Sequence, residues 1–389
     1  MRRNMMASYA RVLTAPAQSF FLWGPRGSGK TTWLRERFRA AHWIDLLEEA
    51  RFQRYLRDAG ALGRELDARP AGESVVIDEV QRLPSLLHEV HRQIELRGLT
   101  FALTGSSVRK LRRSGVNLLG GRALTRTMHP FLPAELGADF DLDDALRFGT
   151  VPLVWTAADR DATLAAYVQL YLREEIQHEA LVRNLPAFAR FLPIAALLHG
   201  QVLSVSSLSR DAGAARTTID DYLSVLEDTL LAARLPAFAA RLRVRERAHP
   251  KLFWFDAGIV RALRGASGPP TGEERGALFE GWVHGLLRAY RDLGRLPPGE
   301  LAYWSPARGK TEVDFVLSAG GEHVAIEVKA TREPREDHLT GLRAIGGLPG
   351  LVRRVLVTSG RGRERAEGGI DILGALEFAQ ELHEGRLFR

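Results

Sequence analysis

Phe20-Phe21-Leu22-Trp23, then Gly24-Pro25-Arg26-Gly27-Ser28-Gly29-Lys30-Thr31, then Thr32-Trp33-Leu34: an apolar run, a glycine-rich loop with the spacing G-x-x-x-x-G-K-[ST], and the start of a helix-like segment. In that context the glycines let backbone N–H groups close on phosphate oxygens, Lys30 brings charge to the β- and γ-phosphates, and the Thr31 hydroxyl at a helix N-terminus can ligate Mg²⁺. The cofactors this pattern calls for are ATP and Mg²⁺, with Gly24, Pro25, Arg26, Gly27, Ser28, Gly29, Lys30, Thr31 and Thr32 as the nucleotide-binding set.

Working outward, the N-terminal third alternates apolar runs with amphipathic segments, the rhythm of a parallel α/β sheet. Val75-Val76-Ile77 ends in Asp78-Glu79. Asp78 is placed to hold Mg²⁺, and Glu79, turned differently at the strand end, to polarise the attacking water. That second acid points to hydrolysis rather than binding alone. The next strand, Phe101 to Thr104, runs into Gly105-Ser106-Ser107, where the Ser106 hydroxyl is the candidate for orienting water. Arg112, Arg113 and Arg122 follow, and Arg122 in Gly120-Gly121-Arg122 is the preferred arginine finger. A finger acting from a neighbouring subunit makes the active form a homo-oligomer.

After Pro130 and Pro133 the pattern becomes mostly helical. Ser204 to Ser209, with Asp211-Ala212-Gly213 and then Ala215 to Leu226, reads as a helix-turn-helix with Gly213 in the turn. Arg216, Thr217 and Thr218 fall at the N-terminal end of the second helix. Arg241, Arg243, Arg245 and Arg247 alternate with Leu242, Val244 and Glu246, so on a strand they share one face, like the wing of a winged helix. With a net charge of +7, DNA is the expected partner. The competing reading is a protein-contact module whose arginines protect a sheet edge. No apolar stretch is long enough to span a bilayer, and the lack of cysteine suits a reducing cytoplasm, where the protein is expected.

Beyond Gly265 to Pro270 a second α/β unit begins. Asp314, in Glu312-Val313-Asp314-Phe315, and Glu327, in Ile326-Glu327-Val328-Lys329, can converge on paired strands, with Glu280 from the preceding helix completing the group. Acids so grouped can hold a second divalent metal that activates water, and Lys329, two residues from Glu327, can stabilise the charge that develops in phosphodiester cleavage. An ordinary salt-bridged strand pair is the alternative for Glu327 and Lys329.

These motifs, with Ile77-Asp78-Glu79-Val80-Gln81 and Leu103-Thr104-Gly105-Ser106-Ser107, resemble a bacterial and archaeal AAA-type ATPase family whose P-loop domain is fused to a C-terminal region of unknown function. The last two resemble the PD-(D/E)xK core of restriction-endonuclease-like folds. That resemblance makes Asp314 and Glu327 metal ligands and Lys329 the catalytic lysine, although Val313 stands where the pattern has proline. The expected architecture is an AAA-type parallel-sheet domain at 1–135, a helical and winged-helix domain at 136–265, and a restriction-endonuclease-like α/β domain at 271–389. The function expected is ATP hydrolysis coupled to DNA binding. An ATP-dependent deoxyribonuclease and a nucleotide-switched assembly protein that needs no DNA are the alternatives.

Overall fold

The computed structural model describes residues 9–58, 60–107, 111, 119–171, 184–239, 249–306 and 311–389. Its described residues form two compact units. The first takes in Ala10–Pro130 and Ser224–Leu231; the second takes in Phe131–Leu223 and Ala232–Arg389.

The first unit is built on five parallel strands in the order β2-β3-β4-β1-β5: β1 Phe20–Trp23, β2 His42–Asp45, β3 Ser74–Asp78, β4 Thr100–Gly105 and β5 Leu124–Thr127. Strands β1, β3 and β4 are almost wholly buried, as their unbroken apolar runs require in a sheet covered on both faces. The sheet order places β4 between β1 and β3, and because the three strands are parallel the loops leaving them open at one sheet edge. In open parallel sheets that edge, where chain order crosses over, is where ligands bind. The helix Leu86–Arg97 is closed by Gly98 at φ 62°.

The second unit holds two sheets. A three-stranded antiparallel sheet, ordered β6-β8-β7, consists of β6 Gln201–Val202, β7 Ala232–Leu235 and β8 Lys251–Trp254. Between β6 and β7 come the helices Val205–Ala212 and Arg216–Asp228. Ser204 caps the first of them, accepting from the Ser207 N–H at 3.3 Å, and Gly213 ends it at φ 61°. Glycine is favoured there because a Cβ strains the left-handed region.

The second sheet has six mixed strands, ordered β13-β14-β12-β11-β10-β9: β9 Glu300–Trp304, β10 Val313–Ala319, β11 Glu322–Lys329, β12 Leu351–Thr358, β13 Arg363–Ala366 and β14 Ile370–Gly374. The two sheets meet. Phe238 N–H donates to Tyr303 O at 2.6 Å, and the Phe253 ring of β8 lies 4.3 Å from the His284 ring of the helix Gly272–Asp292 and 5.9 Å from Phe315 of β10. Elsewhere in this unit Asp256 caps the helix Ala257–Leu263, accepting from Ile259 N–H at 3.2 Å and Thr150 N–H at 2.7 Å. Burial pushes this carboxyl up to about 6 despite the backbone donors. Among the described residues, no helix is long and apolar enough to cross a membrane.

Candidate functional site

At the C-terminal edge of the five-stranded sheet, Gly27 and Gly29 take φ values of 73° and 87°, and Gly29 opens the helix Lys30–Arg37 without a side-chain cap. A Cβ at Gly24 would come within 2.7 Å of Met128 O and 2.9 Å of Ser28 Oγ. Glycine is therefore required at 24 for packing and at 27 and 29 for backbone conformation. The amides of the first helical turn are left for an anion. Ser28 Oγ is buried beside them with no partner, which fits a cradle for phosphate oxygens.

Lys30 is buried, and its ammonium donates to Gly24 O at 2.7 Å and Pro25 O at 3.2 Å, both carbonyls of its own loop. Asp78, at the end of β3, is buried as well. One carboxylate oxygen accepts from Thr31 Oγ1 at 2.9 Å, and the other from Thr104 Oγ1 at 2.6 Å. Two strands and the P-loop helix thus converge on a single carboxylate. Thr32 is exposed on the outer side of the helix start, and Pro25 is buried.

Glu79 adopts φ 59° although it is not glycine. Such a backbone turns the chain sharply after Asp78, so the two acids leave the strand in different directions. Buried Gln81 then donates to Glu79 Oε2 at 2.5 Å and to Ser106 Oγ at 3.1 Å. A Cβ at Gly105 would run into Gln81 and the Trp23 ring, so the glycine between Thr104 and Ser106 admits this bridge.

Thr104 and Gln81 are site residues that sequence reasoning did not select. Both lay within motifs it quoted, but their roles depend on β4 lying between β1 and β3. Arg122 is not brought to this edge. It precedes β5, whose first residue, Leu124, pairs with Phe20 at the start of β1, and its guanidinium is paired with Glu95. Arg112 and Arg113 lie outside the described residues.

Arg216 and Thr217 are exposed at the start of their helix and Thr218 is half-buried, while Ile219, Leu223 and Leu226 are buried. Arg241, Arg243, Arg245 and Arg247 lie outside the described residues.

The C-terminal acids do converge, in a different grouping from the expected one. Phe315 of β10 pairs with Ile326 of β11, which sets Asp314 next to Glu327, and a register shift against β9 between Val313 and Val316 falls at Asp314. Bulges of this kind re-aim a side chain. Asp314 accepts from Val328 N–H at 2.8 Å, and its carboxylate gathers with those of Glu280 and Glu312, one oxygen of each lying within 4.8 Å of the others. That spacing suits a divalent ion. Among them sits the ammonium of Lys251, at 2.9 Å from Glu280 Oε1, 3.6 Å from Asp314 Oδ1 and in contact with Glu312.

Glu327 does not join that trio. Its Oε1 takes Lys329 Nζ at 2.5 Å, and its Oε2 is buried with no partner. Burial and then the Asp314 charge push the Glu327 carboxyl well above the usual range, against the pull of Lys329. Burial likewise pushes Glu280 up to about 8, with Lys251 pulling down and Asp314 pushing up. For Lys251, burial disfavours the charged form, but Glu280, Asp314 and Glu312 outweigh it, and its pKa is raised well above the ordinary lysine value. The ammonium stays charged.

Lys251 and Glu312 were not among the predicted site residues. Strict alternation from Glu312 to Asp314 was the available signal for the acid. For the lysine it was a lone cation heading the buried run Leu252-Phe253-Trp254.

The first unit is that of a P-loop nucleotide-binding ATPase domain of the AAA type. Residues 17–137 match the family described as "AAA domain", residues 139–269 match a domain of unknown function (DUF8612), and residues 275–378 match another (DUF4143). The chain is similar to the uncharacterized proteins Mb2031c of Mycobacterium bovis and Rv2008c of Mycobacterium tuberculosis. Each is 26% identical over 342 residues, which cover 86% of this chain and 75% of the relative. A solved structure, the signal transduction ATPase with numerous domains and a tetratricopeptide repeat sensor from Pyrococcus horikoshii, is 13% identical over 75% of this chain, with a TM-score of 0.25. The match spans about half of that protein, 48% of its length.

Proposed function

We propose that this chain is a Mg²⁺-dependent ATPase in which the P-loop binds the phosphates, Thr31 and Asp78 hold the metal, and Glu79 receives the proton of the attacking water. The observation that carries this reading is the Asp78 carboxylate fixed between the hydroxyls of Thr31 and Thr104. Magnesium held there supplies charge neutralisation across the β- and γ-phosphates.

The protein's own groups do the rest. Lys30 can exchange two neutral carbonyls for phosphate oxygens without leaving a buried charge behind. Gln81 donates to both Glu79 and Ser106, which positions the base and the water-orienting hydroxyl relative to each other. Phosphate release from ATP by the full chain, with Mg²⁺ and with EDTA, tests the assignment: release in Mg²⁺ that EDTA abolishes is expected, and no release in Mg²⁺ removes it.

The exposed N-terminal end of the helix Arg216–Asp228, carrying Arg216 and Thr217, favours a second activity, the engagement of DNA through the winged helix. In this reading Thr218 supports the contact, and Arg241, Arg243 and Arg245 neutralise phosphates. Fluorescence anisotropy with a labelled duplex is expected to show salt-sensitive binding that Arg216→Ala weakens. Absence of binding at low salt returns the module to protein assembly. Arg122 can act only from a neighbouring copy, so a homo-oligomer accompanies any role for it. Mixing Arg122→Ala with Lys30→Ala chains then recovers turnover.

A further inference from the structure

The PD-(D/E)xK-like constellation invites a divalent ion, but the side chains present do not leave room for one. We infer that Lys251 is a built-in cation that stands at the metal position among Glu280, Glu312 and Asp314, closing the site to divalent ions.

The geometry is that of an occupied cation site. One ammonium reaches an oxygen of each of three carboxylates that themselves cluster within 4.8 Å. Divalent ions bind carboxylate oxygens at about 2.0–2.6 Å, so an ion among these three oxygens would touch the ammonium, and two cations in contact repel. Sharing is excluded, and one must leave. Lys251 has no easy exit: its side chain is 3% exposed, the Tyr303 ring lies 5.3 Å from its nitrogen, and every residue of β8 is buried.

Position explains how the lysine arrives. Lys251 heads β8 in the three-stranded sheet, whereas Asp314 is the second residue of β10 in the six-stranded one, and the helix Gly272–Asp292 supplies Glu280. The cluster therefore ties the winged-helix sheet to the nuclease-like sheet, in the place where metal would do catalytic work. With the slot filled, Glu327 and Lys329 are left to pair with each other. The carboxylates serve as a structural clamp, and the C-terminal region does not cut nucleic acid by a metal-dependent route.

Manganese titration of the nucleotide-free full chain, followed by the EPR signal of the free ion, tests this in an Asp78→Asn background that silences the P-loop site. The added change Asp314→Asn is expected to leave the titration unaltered. Replacing Lys251 by Met should create one manganese site, at least tenfold tighter than any binding before, and adding Asp314→Asn to that variant should remove it. A manganese ion bound with Lys251 in place and lost on Asp314→Asn overturns the inference, as does a folded Lys251→Met variant that gains no site. Should Lys251→Met fail to fold, the titrations with Lys251 in place decide alone: indifference to Asp314→Asn supports the clamp and sensitivity to it refutes it.

Discussion

Two lysines are buried in this molecule, Lys30 and Lys251, and the company each keeps sets what it can do. Lys30 donates to the carbonyls of Gly24 and Pro25, neutral acceptors that a phosphate can replace. Lys251 is held by the acidic groups of Glu280, Glu312 and Asp314, a buried ionic cluster rather than a pair of neutral carbonyls. The same contrast holds for the acids: Asp78 is gripped by two hydroxyls, which can turn toward an incoming metal, whereas Asp314 already faces an ammonium. A site meant to exchange ligands is built from weak, neutral partners, and a clamp from charged ones.

Replacing each lysine separates the two roles most sharply. Lys30→Ala is expected to abolish binding of a fluorescent ATP analogue and to cut turnover by at least about a hundredfold, the scale for losing one charge-stabilising donor, with little change in melting temperature. Lys251→Met is expected to do the reverse. It should lower the stability of the second unit by roughly 3 kcal/mol, as removal of one partner from a buried charge cluster does, with ATP turnover retained. A Lys30→Ala protein that melts early, or a Lys251→Met protein as stable as the parent, breaks the contrast.

Asp256 sharpens it, being a buried acid held by backbone N–H groups with no cation among its partners. Its folded-state pKa of about 6 lies above the ordinary value of 3.8, so between those values the folded chain binds more protons than the unfolded one. The associated stability is full below about pH 4 and is lost as pH rises through 6, amounting to roughly 3 kcal/mol. Asp256→Asn keeps an acceptor for the helix cap and should flatten that slope in denaturant titrations between pH 4 and 7. An unchanged slope means that another group titrates. A smaller effect is expected at Thr104→Val, which removes one of the two hydroxyls on Asp78: about a tenfold loss in Mg²⁺-dependent turnover, seen as a raised Mg²⁺ requirement.

The parts of this picture legible in the sequence are the local ones. Gly24 to Thr31 carries its chemistry in one contiguous loop, and Val75 to Asp78 announces a buried strand that ends in an acid. Gly213 likewise marks the turn between two helices because only its backbone conformation is at issue. What escaped depends on pairing between distant segments. Thr104 meets Asp78 only because β4 enters between β1 and β3, an order that no spacing reveals. Gln81 bridges Glu79 to Ser106 because Gly105 lacks a side chain in that space.

The C-terminal site was half legible for the same reason. Alternation placed Glu327 and Lys329 on one strand face, where they do pair. Lys251 comes from another sheet, sixty-three residues before Asp314 in sequence, and its burial shows only when the sheets are assembled. An acidic cluster read without its cation looks like a metal site.

The division of labour at the P-loop is tested most directly by one comparison: phosphate release with Mg²⁺-ATP, measured together with nucleotide affinity, for the parent chain and for Glu79→Gln. Affinity is expected to hold within about twofold while turnover falls by about a hundredfold or more, the scale of a lost general base. Turnover retained in Glu79→Gln would contradict the role given to that carboxylate and with it the hydrolytic mechanism drawn from this site.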